Sequence, residues 1–133
     1  MNRAIEFHDS TITGVHVAGT EVTLALDAVI HQSAGIPGRN AGTCWLQRIH
    51  IHLHGAVVEQ CPATLVNELS FGDVMRNGTK MENLLPLPTR VQGELVIMLA
   101  TLYGERYQVR ASMLETAAVG QPEDVQDFAG LPV

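Results

Sequence analysis

The sequence predicts an all-β, mostly antiparallel domain, sandwich- or barrel-like, built from hairpins and closed by a short C-terminal helix. Two observations carry that expectation. Apolar and polar residues alternate with period two over much of the chain, and turns rich in Gly, Pro or Asn separate the alternating runs. A third observation is size: 133 residues make a single domain, residues 1–133, long enough to bury a core. No repeat or linker divides it.

Residues 10–31, STITGVHVAGTEVTLALDAVIH, read as two strands meeting near Ala18-Gly19. A two-residue turn there sets Val15 against Val22 and Thr13 against Leu24 on a mainly apolar side. His16 then faces Glu21, and Ser10 faces Asp27, on a polar side. Residues 33–43 form a loop punctuated by Gly and Pro, in which Arg39 or Asn40 suits contact with a ligand, although a solvated connection between strands is the preferred reading. It is not a phosphate loop, because it lacks the closing Gly-Lys-Ser/Thr.

The strand that follows, WLQRIHIHLHGAVV, sorts its side chains sharply. Trp45, Ile49, Ile51 and Leu53, with Gln47 among them, share one face, while Leu46, Arg48, His50, His52 and His54 share the other. Within 61–88 the segment CPATLVNELSFGDV fits either a helical turn or a strand. RNGTK reads as a tight turn, and Pro86 and Pro88 oppose a regular central strand.

ELVIMLATLYGERYQVRASMLE reads as a hairpin with Gly104-Glu105 in a type II′ turn. That register pairs Leu102 with Tyr107, Ala100 with Val109, Met98 with Ala111 and Val96 with Met113 on an apolar face. Leu95, Ile97 and Leu99 occupy the opposite face, so strand 94–103 is apolar on both sides. A helix, another sheet or a second subunit has to cover the second side. In QPEDVQDFAG, Pro122 suits the first helical position, acids fill the first turn and Gly130 lies just past the end, which predicts the short helix.

Charge narrows the function classes. Only 17% of residues are charged, against a usual quarter or so, which favours a homo-oligomer. The net charge of −6 with eight basic residues and no basic run disfavours nucleic acid and anionic membrane surfaces. The longest apolar stretch, residues 95–103, is far below the roughly 20 needed for a spanning helix. The opening MNRAIEFHDS has no apolar signal segment, and Cys44 and Cys61 form no CxxC pair. Both point to reduced thiols in a cytoplasmic protein.

His50, His52 and His54 step about 6.7 Å apart along a strand. Two adjacent imidazoles can converge on one ion, at nitrogen-to-zinc distances of roughly 2.0–2.1 Å. A third ligand has to come from elsewhere, with Glu59, His31, Asp27 and His16 of suitable type. The metal candidates are therefore His50, His52, His54 and Glu59, for zinc or another divalent transition metal. Against this stands the plainer reading that the row is the hydrated side of a sheet, with Arg48 adding positive charge and no third ligand in the spacing. The plainer reading is preferred, and with it no cofactor.

HLHGAVVE resembles the core of the first cupin motif, in which two His one residue apart precede a Glu; here these are His52, His54 and Glu59. The resemblance covers eight residues and implies a metal-binding barrel or metal-dependent enzyme. The motif's flanking glycines fall on Leu46 and Val66, and no histidine after His54 supplies a second motif.

No catalytic constellation stands out elsewhere. In FHDS, His8 and Asp9 point to opposite faces of a strand, and no nucleophile elbow surrounds Ser10. Ser10 and Asp9 are better explained as satisfying backbone groups at a strand start. The cysteines lack a histidine partner in sequence, and the acids at 123, 124 and 127 read as a solvated face.

EFHDSTITGVHVAGTEVTLAL at the start and GERYQVRASMLE near the end resemble a loose group of small bacterial β proteins that open with a Phe/Leu-His-Asp strand. Some of these are assigned to immunity or protein interaction. The resemblance implies a sandwich-like fold and no catalytic residue. The functional expectation is thus a non-catalytic binding or protein-interaction module, with a cupin-like metal protein as the alternative. A third possibility is a small-molecule binder with the 33–43 loop at its mouth.

Overall fold

The computed structural model describes residues 1–62 and 67–132 and contains no helix among them. Its strands are β1 (Asn2–Ala18), β2 (Glu21–Ser33), β3 (Gly42–His54), β4 (Val57–Gln60), β5 (Asn67–Arg76), β6 (Thr79–Glu82), β7 (Leu84–Leu87), β8 (Arg90–Thr101), β9 (Arg106–Ala118) and β10 (Glu123–Phe128). Every pairing is antiparallel. Neighbours run β3-β2-β1-β5-β8-β9, and β9 pairs back onto β3, which closes a six-strand barrel.

Closure follows from patterning. β2 alternates without interruption, so Val22, Leu24, Leu26, Ala28 and Ile30 all point inward, and β3 adds Ile49, Ile51 and Leu53 as its spacing predicts. These side chains, with Ile5, Phe7, Ile12, Tyr107 and Leu114, fill the interior as one cluster. Each fully buried Leu, Ile or Phe is worth about 1.5–3 kcal/mol against exposure. The interior is therefore a packed core rather than a ligand chamber.

The first hairpin turns at Gly19-Thr20, one residue later than expected, with Ala18 opposite Glu21, Val17 opposite Val22 and Val15 opposite Leu24. Gly19 takes a φ of 61°, the sign that a type II′ turn demands at its first central position. Moving the turn by one residue on each arm keeps the same faces. β1 also carries irregularities between Glu6 and Thr11 and between Ile12 and Gly14, where extra residues bend the strand around the barrel. Buried Ser10 serves the first of these. Its hydroxyl donates to the Glu6 carbonyl and accepts from Val29 N at 2.9 Å.

The β8–β9 register departs from expectation. Leu95 opposes Ala111, Ile97 opposes Val109 and Leu99 opposes Tyr107. Leu95, Ile97 and Leu99 are 1%, 2% and 0% exposed and face the core, while Val96 and Met98 face outward beside Arg110 and Gln108. The reason is a longer loop. Thr101 N donates to Glu105 O at 2.9 Å, and the buried Thr101 hydroxyl accepts from Tyr103 N and Glu105 N at 3.3 and 3.2 Å. An odd shift of register exchanges the two faces of a strand pair. The second apolar side of β8 lies half-buried within the chain, between β5 and β9.

Residues 123–128 form a strand, not the expected helix. β9 covers β3 only as far as Ile49, and β10 takes the edge left at Gly42–Leu46. Asp124 at φ 54° accompanies a bulge that a helical start forbids. A six-residue helix has little stability without an apolar face to pack, whereas an open edge offers backbone partners to every residue laid along it.

The other ambiguous segment, from Asn67 on, resolves as β5; residues 63–66 of the CPATLV stretch lie outside the described residues. Asn77-Gly78, with φ 48° and 82°, make a type I′ turn into β6. Among the described residues β5 pairs with β1 only at Thr11 and Ile12. Beyond that the wall splits: β7 pairs Arg3–Glu6 of β1 and β6 pairs Asp73–Arg76 of β5. Pro86 is tolerated because β7 pairs along β1 alone.

Candidate functional site

The histidine row lies on the outer wall, as its alternation predicts. β3 sits between β2 and β9, so each histidine has two lateral neighbours: Ala25 and Ala117 beside His50, and Thr23 and Glu115 beside His52. His16 lies beyond Thr23 on β1. All three row histidines are half-buried. The rings of His50 and His52 meet nearly at right angles, with centroids 5.8 Å apart and planes at 85°.

The three differ in their partners. His54 places Nε2 2.9 Å from Glu115 and Nδ1 against Glu21, so both ring nitrogens face carboxylates. The hydrogen bond to Glu115 raises its pKa, opposed by burial and helped by Glu21. Glu115 is lowered in turn, chiefly by that bond, with Arg90 and His52 adding positive charge. His52 Nδ1 lies 3.0 Å from the Thr23 hydroxyl. The His50 ring forms no hydrogen bond among the described residues, and burial, then the charges of His52 and Arg48, lower its pKa.

Glu59 does not join this row. It stands on β4, where it accepts from Arg110 at 2.8 Å and from Gln108 at 3.1 Å. The cupin-like spacing therefore does not bring His52, His54 and Glu59 together. Among the described residues no group of three or more His, Cys, Asp or Glu side chains is placed to hold a metal ion. His31 points elsewhere, with Nε2 3.4 Å from Glu6 and its ring edge-on to Phe128 at 4.7 Å. Asp27 pairs with Arg48 at 3.5 Å.

The remaining motifs find structural duties. The bulge in β1, with Asp9 at φ 70°, brings His8 Nδ1 within 3.2 Å of Asp9, a contact that regular strand geometry forbids. Both side chains are exposed, and the Ser10 hydroxyl is turned away into the bulge. Asn40 caps its own loop by accepting from Ile36 N at 2.6 Å. Cys44 and Cys61 are free thiols. A polar cleft of about 260 Å³ runs past Asp27, Arg48 and Gly120; in it Arg48 pairs with Asp27, and Gln47 donates to the Gly120 carbonyl.

A larger groove opens where the wall splits. It has a volume of about 610 Å³ and runs between the start of β1, the loop after β2, and β6–β7. Ala4, Ile36, Pro37, Leu84, Pro86 and Leu87 give it apolar walls, and Asn2, Arg3 and Glu82 are its polar side chains. The Arg3 guanidinium carbon stands 5.8 Å from the centre of the Trp45 ring. Its Nε donates to Gln32 at 2.7 Å, and its Nη groups have no partner among the described residues. Arg3 and Leu87 also border a small cavity of about 150 Å³ at the barrel end, with Ile30, Gln47 and Ile49. Sequence reasoning singled out the loop but missed Arg3, since a lone arginine near a strand start carries no signal of its own.

No protein-family model, curated protein or solved structure matches the chain.

Proposed function

We propose that the protein is a non-catalytic binding module, and that its ligand is a small amphiphile, apolar along its length and carboxylate-like at one end, held in the groove beside the 34–41 loop. One observation carries this reading: an apolar groove of about 610 Å³ has a single basic residue in its lining, Arg3, whose guanidinium also reaches the Trp45 ring beside it. That volume is in the range of small-molecule sites, about 300–1,000 Å³, which are mostly apolar with a few oriented polar groups. The Nη pair of Arg3, which has no hydrogen-bond partner among the described residues, matches the two oxygens of a carboxylate. A packed interior supports an external site.

Trp45 is the chain's one tryptophan, which makes the test direct. Titration with decanoate produces a saturable change in tryptophan fluorescence. Arg3→Ala weakens binding, followed by calorimetry, about 10-fold or more, the worth of a charge-assisted hydrogen bond. Ile36→Asp, at an exposed position on the wall, abolishes it without unfolding. No saturable response, or equal affinity for decanol and decanoate, sinks the reading.

A second reading, self-association, is favoured by the β8–β9 loop, where Leu102 and Tyr103 are 56% and 82% exposed. Sedimentation at rising concentration, beside Tyr103→Ser, tests it: mass that stays monomeric throughout rejects it. The free thiols support a reducing, cytoplasmic setting.

A further inference from the structure

We infer that His50 and His52 together form a two-nitrogen chelate for one divalent transition-metal ion of the zinc, nickel or copper type, on the outer wall and separate from the groove. Neither His54 nor Glu59 belongs to this site.

The geometry comes from the strand. Residues i and i+2 project from one face, and these two rings have already tilted toward each other to a centroid separation of 5.8 Å. An imidazole nitrogen about 2.0–2.1 Å from zinc puts the ring centre about 3.2 Å from the ion. Two such rings on one ion lie about 5.2 Å apart at a tetrahedral angle and about 6.4 Å apart in line. The observed separation falls between these limits, so the ring centres stand at a chelating distance, and rotation of the rings from their edge-to-face packing has to turn a nitrogen of each toward the ion.

The surroundings supply the second requirement. Thr23 Oγ1 lies 3.0 Å from His52 Nδ1; in the tautomer whose Nδ1–H donates to that hydroxyl, Nε2 keeps a lone pair for an ion, as metal-bound histidines do when the other ring nitrogen is held by a partner. Such a bond also fixes the ring plane. His50 has both nitrogens unengaged among the described residues, and its lateral neighbours Ala25 and Ala117 are too small to obstruct an ion.

Arg48 places positive charge near His50, and the carboxylates around the row offset it. Arg48 on the same face is paired with Asp27, and Glu115 and Glu21 lie on the other side of the row. His54 is excluded because both its nitrogens already face those carboxylates, and Glu59 because it is bound to Arg110. Water fills the remaining coordination positions, so the site holds an exchangeable ion rather than a structural one.

The test uses untagged full-length protein and zinc alone, followed by calorimetry. About one ion binds per chain, and His50→Ala and His52→Ala each weaken binding at least 10-fold, a loss that removing an outer-shell partner alone already causes. His54→Gln and Glu59→Gln bind as the parent does. Electron spin resonance of the copper-loaded parent, which needs no substitution, shows two coordinated imidazole nitrogens. Absence of saturable binding would mean that the two rings merely pack edge to face. Loss of binding in His54→Gln with retention in His50→Ala, or half an ion per chain with doubled mass, also overturns the one-chain chelate.

Discussion

His54 Nε2 lies 2.9 Å from the carboxylate of Glu115 across the seam at which β3 meets β9 and the barrel closes. On its other side the same ring meets Glu21 of β2, so one imidazole ties three adjacent strands. The pair makes stability depend on pH. His54 is raised in the folded state, so its contribution is fully present below the unfolded value of about 6.5 and is lost as pH rises through the folded value. Glu115 is lowered, so its contribution is present above its unfolded value and lost as pH falls through the folded one. The urea midpoint of the parent should therefore exceed that of His54→Gln most in mildly acidic solution, and the gap should close toward alkaline pH. A gap independent of pH would show that the charge on His54 contributes nothing.

The two sides of β8 should respond very differently to truncation. Leu99→Ala removes a side chain that is 0% exposed and is expected to cost about 2–5 kcal/mol. Met98→Ala, its half-buried neighbour, should cost about 1 kcal/mol. Urea denaturation of both variants checks directly which side of β8 faces the core, a choice that the apolar residues at both parities leave open in the sequence.

Gly42 opens β3, and a Cβ there would run into the Gln32 backbone carbonyl and lie 2.9 Å from Ser33 Cβ. Backbone cannot give way as a side chain can. Gly42→Ala is expected to destabilise by about 1–3 kcal/mol and to displace the adjoining 34–41 loop. Decanoate binding should fall together with the urea midpoint; a variant of parental stability and affinity contradicts the close approach.

β10 lies on an edge outside the six-strand circuit. Ending the chain at Gly120 should leave a cooperatively unfolding all-β domain, with less stability than the parent because Phe128 no longer covers His31. Circular dichroism of the full chain should lack a helical signature, and the truncated chain should show the same band shape. Loss of cooperative unfolding on truncation would place β10 within the core instead.

How much could be read in advance differs from element to element. The faces of β3 were legible because Trp45, Ile49, Ile51 and Leu53 hold one parity and the charged and imidazole residues hold the other. The Asn77-Gly78 turn was legible because few residues tolerate two positive φ angles in succession. The β8–β9 register was not, since Leu95, Val96, Ile97, Met98 and Leu99 are apolar at both parities and period two then says nothing about which side faces in. The Thr101 hydroxyl decided it through a loop that no dipeptide signals. The C-terminal segment was misread because dipole and capping terms worth a few tenths of a kcal/mol to about 1 kcal/mol were weighed without knowing that β3 had an unoccupied edge.

The same division runs through the candidate sites. The chain's alternation established the antiparallel β class, the inward and outward sides of β2 and β3, and the alignment of His50, His52 and His54 on one wall, all of which follow from the two-residue period of an extended backbone. Which histidine is engaged by carboxylates, which remains open, and where Arg3 meets an apolar groove were decided by the closing of β9 onto β3 and the insertion of β7 beside β1. Those contacts join segments tens of residues apart, and local propensity holds no information about a register that is set only when distant strands compete for the same edge.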